Sequence, residues 1–368
     1  MKLQKWQRNT IGITAGLSVS ILLAYRLFFP GIPFLLDYMQ PRHDTTPYAT
    51  KAVTIQTKVR HIPARIYTPA DGNIQSTILL VHGVHHDGYN ETRLIHFTET
   101  LARHGFRVVT PDIEDLKNYQ IVARAYDDIE QSALWLSEKS GLIKKDQQFA
   151  LWGISFAGGL CLSAAASPRL RNRISSGFSF GGHSNLDSTM HYLMTGDTPS
   201  GQLAPHVYGQ AVLVRRFADK LVPADQVNAL QQTVFLYLQG EYKKAMARSK
   251  LSAPESRKLL QLIFKRDVNT LGNMLKARVG PPKTVSKLSA EKGPPPACSV
   301  HLLHGSVDNV IPASELDRLK KWAEKGDSKV YALVSSLINH VELEEDTPFE
   351  LLSYVRIVRF WTELLRHT

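Results

Sequence analysis

Residues 153–159, Gly-Ile-Ser-Phe-Ala-Gly-Gly, decide the fold of this 368-residue chain. An apolar run typical of a buried strand precedes them at 148–152, and small residues typical of a helix follow at 160–166. A strand, a sharp glycine-flanked turn with a central serine, and a helix are the context in which G-x-S-x-G marks a nucleophile. Ala157 replaces the last glycine of that pattern and still provides a small side chain. Ser155 is therefore the candidate nucleophile.

Further strand-like runs lie on both sides of this turn, and chemically useful residues follow them. The run at 78–81 leads into His82-Gly83, and the run at 300–303 leads to Asp308 in His-Gly-Ser-Val-Asp-Asn-Val-Ile-Pro. His340 follows the last run, 329–334. Serine, then aspartate, then histidine is the chain order of the α/β-hydrolases. With these motifs the chain resembles the α/β-hydrolase superfamily over about residues 50–366, and the motifs single out no family within it.

The resemblance implies an α/β fold with a mostly parallel central sheet and helices on both faces. The alternation of strand-like and helical segments from Ser76 onward predicts the same layers. Between about residues 184 and 297 the alternation stops and the segments are typical of helices, which predicts a helical cap over the active site. The predicted core comprises 51–183 and 298–368.

The candidate catalytic triad is Ser155, His340 and Asp308. A serine hydroxyl is a weak nucleophile at neutral pH and needs an adjacent base, which in turn needs an orienting acid. Asp308 fits the superfamily's H-G-x-x-D-x-x-V-P loop, with Ile311 in place of the valine. Asp187 is the alternative acid, because some lipases place it after the preceding strand.

Two backbone N–H groups are expected to bind the oxyanion that forms during acyl transfer. One belongs to Phe156, directly after the nucleophile, and the other to Val84, in the loop after His82-Gly83. His82, His85, His86 and Asp87 have side chains suited to a metal, but neighbouring residues of a short loop rarely point at one centre. We therefore expect no metal and no cofactor.

Lysines and arginines exceed acids by 44 to 33, and the excess is concentrated in one segment. Residues 205–292 hold sixteen of these basic residues against six acids. Such a segment either attracts anionic headgroups or substrates, or forms a solvated helical face. Nucleic acid is not expected as a partner, because no recognised binding motif accompanies the charge. The two cysteines, Cys161 and Cys298, are expected to be buried thiols.

The first 36 residues predict a membrane anchor or a signal peptide. Lys2, Lys5 and Arg8 precede an apolar run from Ile11 to Tyr25, without small residues of the kind that mark a cleavage site. An uncleaved single-pass anchor with the catalytic domain outside the cytoplasm is favoured over a cleaved signal or a cytosolic buried segment. Residues 37–50 then form a linker.

Together these features predict a membrane-anchored serine hydrolase that cleaves carboxylic esters through an acyl-enzyme. The anchor and the basic cap favour lipid-like or acylated substrates and contact of the cap with a membrane. An acyltransferase that uses the same triad is an alternative, because it differs only in whether water is excluded from the site. A non-catalytic binding member of the fold is a second alternative.

Overall fold

The computed structural model describes residues 25–40, 47–57, 59–339, 342–343 and 351–368. Within these residues the central sheet has eight strands in the order β1-β2-β4-β3-β5-β6-β7-β8. Strand β2 is antiparallel to both of its neighbours, and all other neighbouring pairs are parallel. The strands are β1 (Tyr48–Gln56), β2 (His61–Pro69), β3 (Ser76–Val81), β4 (Phe106–Pro111), β5 (Phe149–Ile154), β6 (Ile174–Phe180), β7 (Ser299–Gly305) and β8 (Val330–Ser335).

Helices cover both faces of this sheet, as the sequence predicts. Strand β3 divides its side chains between two cores, with Leu79 and Val81 in one and Ile78 and Leu80 in the other. The period of two along a strand gives this division, and burial on both faces requires the continuous apolar run at 78–81. The helices outside the insertion are α1 (Gly31–Met39), α2 (Thr92–Arg103), α3 (Glu114–Lys117), α4 (Ala123–Glu138), α5 (Phe156–Ala165), α13 (Ser314–Ala323) and α14 (Leu351–His367).

The segment between β6 and β7 is mainly helical. Its core-facing residues, such as Leu230 and Leu260, are fully buried and belong to the same core as α4 and α5. The insertion is therefore packed onto the body of the protein. Its helices are α6 (Leu186–Thr195), α7 (Val207–Arg216), α8 (Ala218–Leu221), α9 (Ala224–Leu238), α10 (Tyr242–Lys250), α11 (Pro254–Lys265) and α12 (Val268–Val279).

The prediction of a single-pass membrane protein is contradicted. In the part of the chain that the structure describes, every helix is too short or too polar to cross a bilayer. Helix α1 has nine residues and is about 14 Å long, roughly half the thickness of a hydrocarbon core. Its apolar side chains Phe34 and Leu35 are buried against α2 and α14 instead. Residues 1–24, which hold most of the predicted anchor, lie outside the described residues.

Candidate active site

Ser155 stands at the sharp turn between β5 and α5. Its backbone has φ 55° and ψ −135°, a conformation that residues other than glycine rarely adopt. The turn is held by two hydrogen bonds: Ser155 N–H donates to the Phe180 carbonyl (2.7 Å), and Gly158 N–H donates to the Ser155 carbonyl (2.8 Å). A strained serine at the start of a helix, at the carboxyl end of a central strand, is the geometry of a nucleophile elbow.

Close packing around this turn explains why its neighbours are small. A Cβ atom at Gly153 would lie 2.4 Å from the Ala157 carbonyl oxygen. A Cβ atom at Gly83 would lie 3.2 Å from the Cβ of Ser155. The loop after β3 therefore passes directly beside Ser155, as the two predicted oxyanion donors require.

The two predicted oxyanion donors belong to well-fixed segments. Phe156 is the first residue of α5, and N–H groups in the first turn of a helix have no carbonyl partner within that helix. On the other side, the Tyr208 hydroxyl donates to the Val84 carbonyl at 2.7 Å. Tyr208 belongs to α7, so a helix of the insertion holds the loop that carries Val84.

His82 fixes the same loop and remains neutral. Its Nε2 accepts a hydrogen bond from Ile113 N–H (2.9 Å), so the proton is on Nδ1, which donates to the Gly83 carbonyl (2.7 Å). Burial lowers the pKa of His82 to about 4. Both ring nitrogens are used, and we assign His82 a structural role.

Asp308 lies fully buried in the loop after β7. Its Oδ1 accepts hydrogen bonds from Val310 N–H (2.9 Å) and Ile311 N–H (3.0 Å), and its Oδ2 lies 3.2 Å from His304 Nε2. These contacts hold the carboxylate in a fixed position in the loop. The next residue, Asn309, lines the same cavity as Ser155, so the Asp308 loop borders the site.

The structure describes the alternative acid, Asp187, but not the predicted base, His340. Asp187 accepts a hydrogen bond from Thr284 N–H (2.7 Å) and pairs with Lys292 Nζ (2.5 Å), away from the cavity wall. His340 lies outside the described residues, so its role as the base stays a prediction.

A cavity of about 380 Å³ opens beside Ser155, and Ser155 forms part of its wall. Its volume is in the usual range for small-molecule sites, which are mostly apolar with a few polar groups. The polar part of the wall includes His85, Arg93 and Glu91. Arg93 Nε donates a hydrogen bond to Glu91 Oε1 at 2.7 Å. The apolar part comprises Leu35, Val84, Leu94, Phe97, Ile154, Phe156, Phe180, Leu303, Val310, Ile338 and Trp361.

The N-terminal region contributes to this cavity, which the sequence did not predict. Leu35 and Tyr38 of α1 line it, although residues 1–36 were predicted as an anchor or signal and 37–50 as a linker. The spacing of Phe34, Leu35 and Tyr38 around Asp37 is typical of one turn of an amphipathic helix packed on a protein. This spacing could have indicated that residues 34–38 form a helix of the folded domain.

The side chains of His85, His86 and Asp87 converge more than expected for neighbouring residues. One potential metal-binding atom from each lies within 4.8 Å of the others. His86 Nδ1 lies 3.1 Å from the Tyr119 hydroxyl, and His85 Nδ1 accepts from Asp87 N–H (3.3 Å). Since exposed groups of this kind are common without an ion, the expected absence of a metal stays a prediction.

A further buried histidine, the two cysteines and the basic segment have structural surroundings. His183 is buried, and its Nε2 lies 2.8 Å from the Leu288 carbonyl. Cys161 and Cys298 are buried free thiols, which confirms that prediction. Some lysines of the basic segment pair with acids, among them Lys287 with Asp127 (2.6 Å).

No protein-family model and no curated protein sequence matches this chain. Among solved structures, a hydrolase candidate from Legionella pneumophila is similar with a TM-score of 0.54 at 13% identity, over 92% of this chain and 95% of that one. Identity this low shows a shared fold and nothing of the chemistry. The similarity, together with the strand order, confirms the predicted α/β-hydrolase fold.

Two other solved structures are similar at lower scores. Esterase 2 of Thermogutta terrifontis has a TM-score of 0.49 and 12% identity, over 89% of this chain and 97% of that one. The acylaminoacyl peptidase of Pyrococcus horikoshii has a TM-score of 0.49 and 12% identity, over 88% of this chain. This chain spans 42% of the length of that peptidase.

Proposed function

We propose that this chain is a serine hydrolase that cleaves carboxylic esters through an acyl-enzyme. The observation that carries the proposal is the strained Ser155 at the start of α5, in the wall of a largely apolar cavity. Strained backbone is costly and persists where the surroundings hold it, often at active sites. The apolar wall supports an ester with an apolar acyl group as the substrate.

In the proposed mechanism, Ser155 Oγ attacks the ester carbonyl carbon while His340 takes the hydroxyl proton. The carbonyl oxygen becomes an oxyanion, which accepts hydrogen bonds from the N–H groups of Phe156 and Val84. Asp308 orients the imidazole and stabilises its protonated form. Collapse of the tetrahedral intermediate breaks the ester C–O bond, and His340 returns the proton to the leaving alcohol.

Water then completes the reaction. It attacks the acyl-enzyme with His340 as the base, and the second tetrahedral intermediate releases the carboxylic acid and the Ser155 hydroxyl. An amide or thioester carbonyl follows the same steps with a different leaving group.

Labelling with a fluorophosphonate probe tests this proposal directly. We expect the wild type to be labelled and Ser155→Ala to be unlabelled, with a loss of p-nitrophenyl butyrate hydrolysis of at least about 10⁴-fold. Ser163→Ala is the matched control, because Ser163 also lies on α5 but donates to the Lys287 carbonyl (2.9 Å). Equal labelling of Ser155→Ala and wild type would remove Ser155 as the nucleophile.

A further inference from the structure

Helix α1 is an integral part of the protein core. The Phe34 side chain is fully buried, and its ring centroid lies 5.0 Å from that of Trp361 and 6.2 Å from that of Phe97. Aromatic contacts of this kind stabilise beyond the area that they bury. The helix is thereby attached to α2 and α14, both of which contribute to the cavity wall.

Polar contacts fix the rotation of α1 about its axis. Asp37 accepts hydrogen bonds from Arg103 Nε (3.0 Å) and Nη2 (3.2 Å). Such a bidentate pair fixes the relative orientation of the two side chains. Near the other end of the helix, Gly31 N–H donates to Thr362 Oγ1 (3.2 Å). With both ends fixed, the helix presents one defined face to the cavity.

That face carries Leu35 and Tyr38, which are three residues apart and therefore on the same side of the helix. Leu35 is 8% exposed, whereas its neighbour Leu36 is 57% exposed and does not line the cavity. Two adjacent leucines thus have opposite surroundings, which provides a matched pair for mutation.

Most of the apolar lining of the cavity belongs to, or packs against, the core cluster that contains α1. Leu35, Leu94, Phe97 and Trp361 belong to one core cluster and line the cavity together. The helical insertion contributes only the polar residues His206 and Tyr208, among the lining residues of the described chain. An aliphatic chain that enters this cavity therefore finds most of its apolar surface on this cluster, of which α1 is a part.

We propose that α1 forms the end wall of an acyl-binding site, and that Leu35 sets the length of the linear aliphatic acyl group that fits. This proposal rests on the proposed ester hydrolysis. Each methylene buried against the wall contributes about a fourfold gain in kcat/KM. The gain stops where the chain meets Leu35, so the size of this side chain determines the optimum.

The test is kcat/KM for p-nitrophenyl esters with acyl chains of increasing length. Leu35→Trp is expected to shift the optimum by two or more carbons toward shorter chains, with at least a tenfold loss for the longest good substrate. Leu35→Ala is expected to shift it toward longer chains. Opposite shifts from the two variants cannot result from misfolding, which lowers all rates together.

Leu36→Trp and Leu36→Ala are the controls, and both are expected to keep the wild-type profile. An unchanged profile in Leu35→Trp and Leu35→Ala would overturn the proposal while leaving ester hydrolysis intact. Equal shifts of the chain-length optimum in the Leu35 and Leu36 variants would also overturn the proposal.

Binding of decanoate to the full-length chain, measured by calorimetry, separates this proposal from the proposed function. If the wild type hydrolyses no ester, the proposed function fails. Weaker decanoate binding in Leu35→Trp than in Leu36→Trp would then still support the end wall. Equal decanoate binding in these two variants would overturn it.

Discussion

The surroundings of Asp308 and Asp187 favour Asp308 for the proposed role of the triad acid. Asp308 is buried beside the cavity and accepts two backbone hydrogen bonds, whereas Asp187 pairs with Lys292 away from it. We expect Asp308→Asn to lower kcat for ester hydrolysis by about 10³- to 10⁴-fold, because asparagine cannot stabilise the protonated base. Asparagine keeps an oxygen that can accept from Val310 and Ile311, so the loop is expected to stay folded.

Asp187→Asn is the matched control for the acid role. It removes a charge from the Lys292 pair at the surface and is expected to change kcat by less than about threefold. Steady-state kinetics on p-nitrophenyl butyrate, with circular dichroism to verify folding, measures both variants. A larger loss in Asp187→Asn than in Asp308→Asn would reverse the assignment.

Local motifs could be predicted from the sequence, whereas the residues that complete the cavity could not. The sharp turn at Ser155 was predictable because glycine and serine spacing specifies a turn within a few residues, whereas the catalytic roles of Ser155 and Val84 stay predictions. Leu35 lines the cavity only because α1 packs against α14, more than 300 residues later in the chain. Periodicity shows which side of a helix is buried, and it does not show what buries it.

At the level of helices and strands, the central sheet was predicted correctly and the membrane span was not. Alternating strand and helix patterns predicted the parallel sheet and its helical layers, because connection rules allow few arrangements of such units. The prediction of a single-pass anchor was wrong, since every described helix is too short or too polar to cross a bilayer. In α1, which lies at the end of the predicted anchor region, Phe34 is buried by aromatic rings of the protein itself.

The contact of helix α7 with the loop after β3 yields a prediction on activity. Tyr208→Phe removes the hydroxyl that donates to the Val84 carbonyl at 2.7 Å. An unpaired carbonyl in this position costs about 1–3 kcal/mol and loosens the loop that carries the proposed oxyanion donor. We expect kcat to fall by about 10- to 100-fold with little change in KM, since the loss concerns the transition state.

Tyr237→Phe, on helix α9 of the same insertion, is the control for the tyrosine hydroxyl. Its ring packs against Tyr242 and Phe264 outside the cavity, and kcat is expected to remain within about twofold of wild type. Loss of thermal stability in Tyr208→Phe without loss of kcat would show that α7 supports the fold and leaves the oxyanion donor unaffected.

Several buried histidines make the stability of the folded chain depend on pH. Burial lowers the pKa of His82 to about 4, and burial together with the charge of His367 lowers that of His301 to about 3. Burial lowers the pKa of His183 as well. The unfolded chain binds protons at these residues below pH 6.5, whereas the folded chain does not.

The sign of the resulting pH dependence follows from this difference. Above pH 6.5 the histidines are neutral in both states and their contribution to stability is complete. As the pH falls from 6.5 toward the folded-state pKa values, protonation favours the unfolded chain. Each such histidine then removes about 1.4 kcal/mol of unfolding free energy per pH unit.

The variant His301→Phe isolates one of these contributions. The His301 ring is buried and stacks on Tyr331 with centroids 4.8 Å apart, a site that a phenyl ring of similar shape can occupy. Urea unfolding midpoints measured from pH 7.5 to 4.5 are expected to fall less steeply in His301→Phe than in wild type. His61 is exposed, so the control variant His61→Asn is expected to follow the wild-type curve. Parallel curves for wild type and His301→Phe would mean that the buried ring takes up its proton without unfolding, and that acid sensitivity arises from other groups.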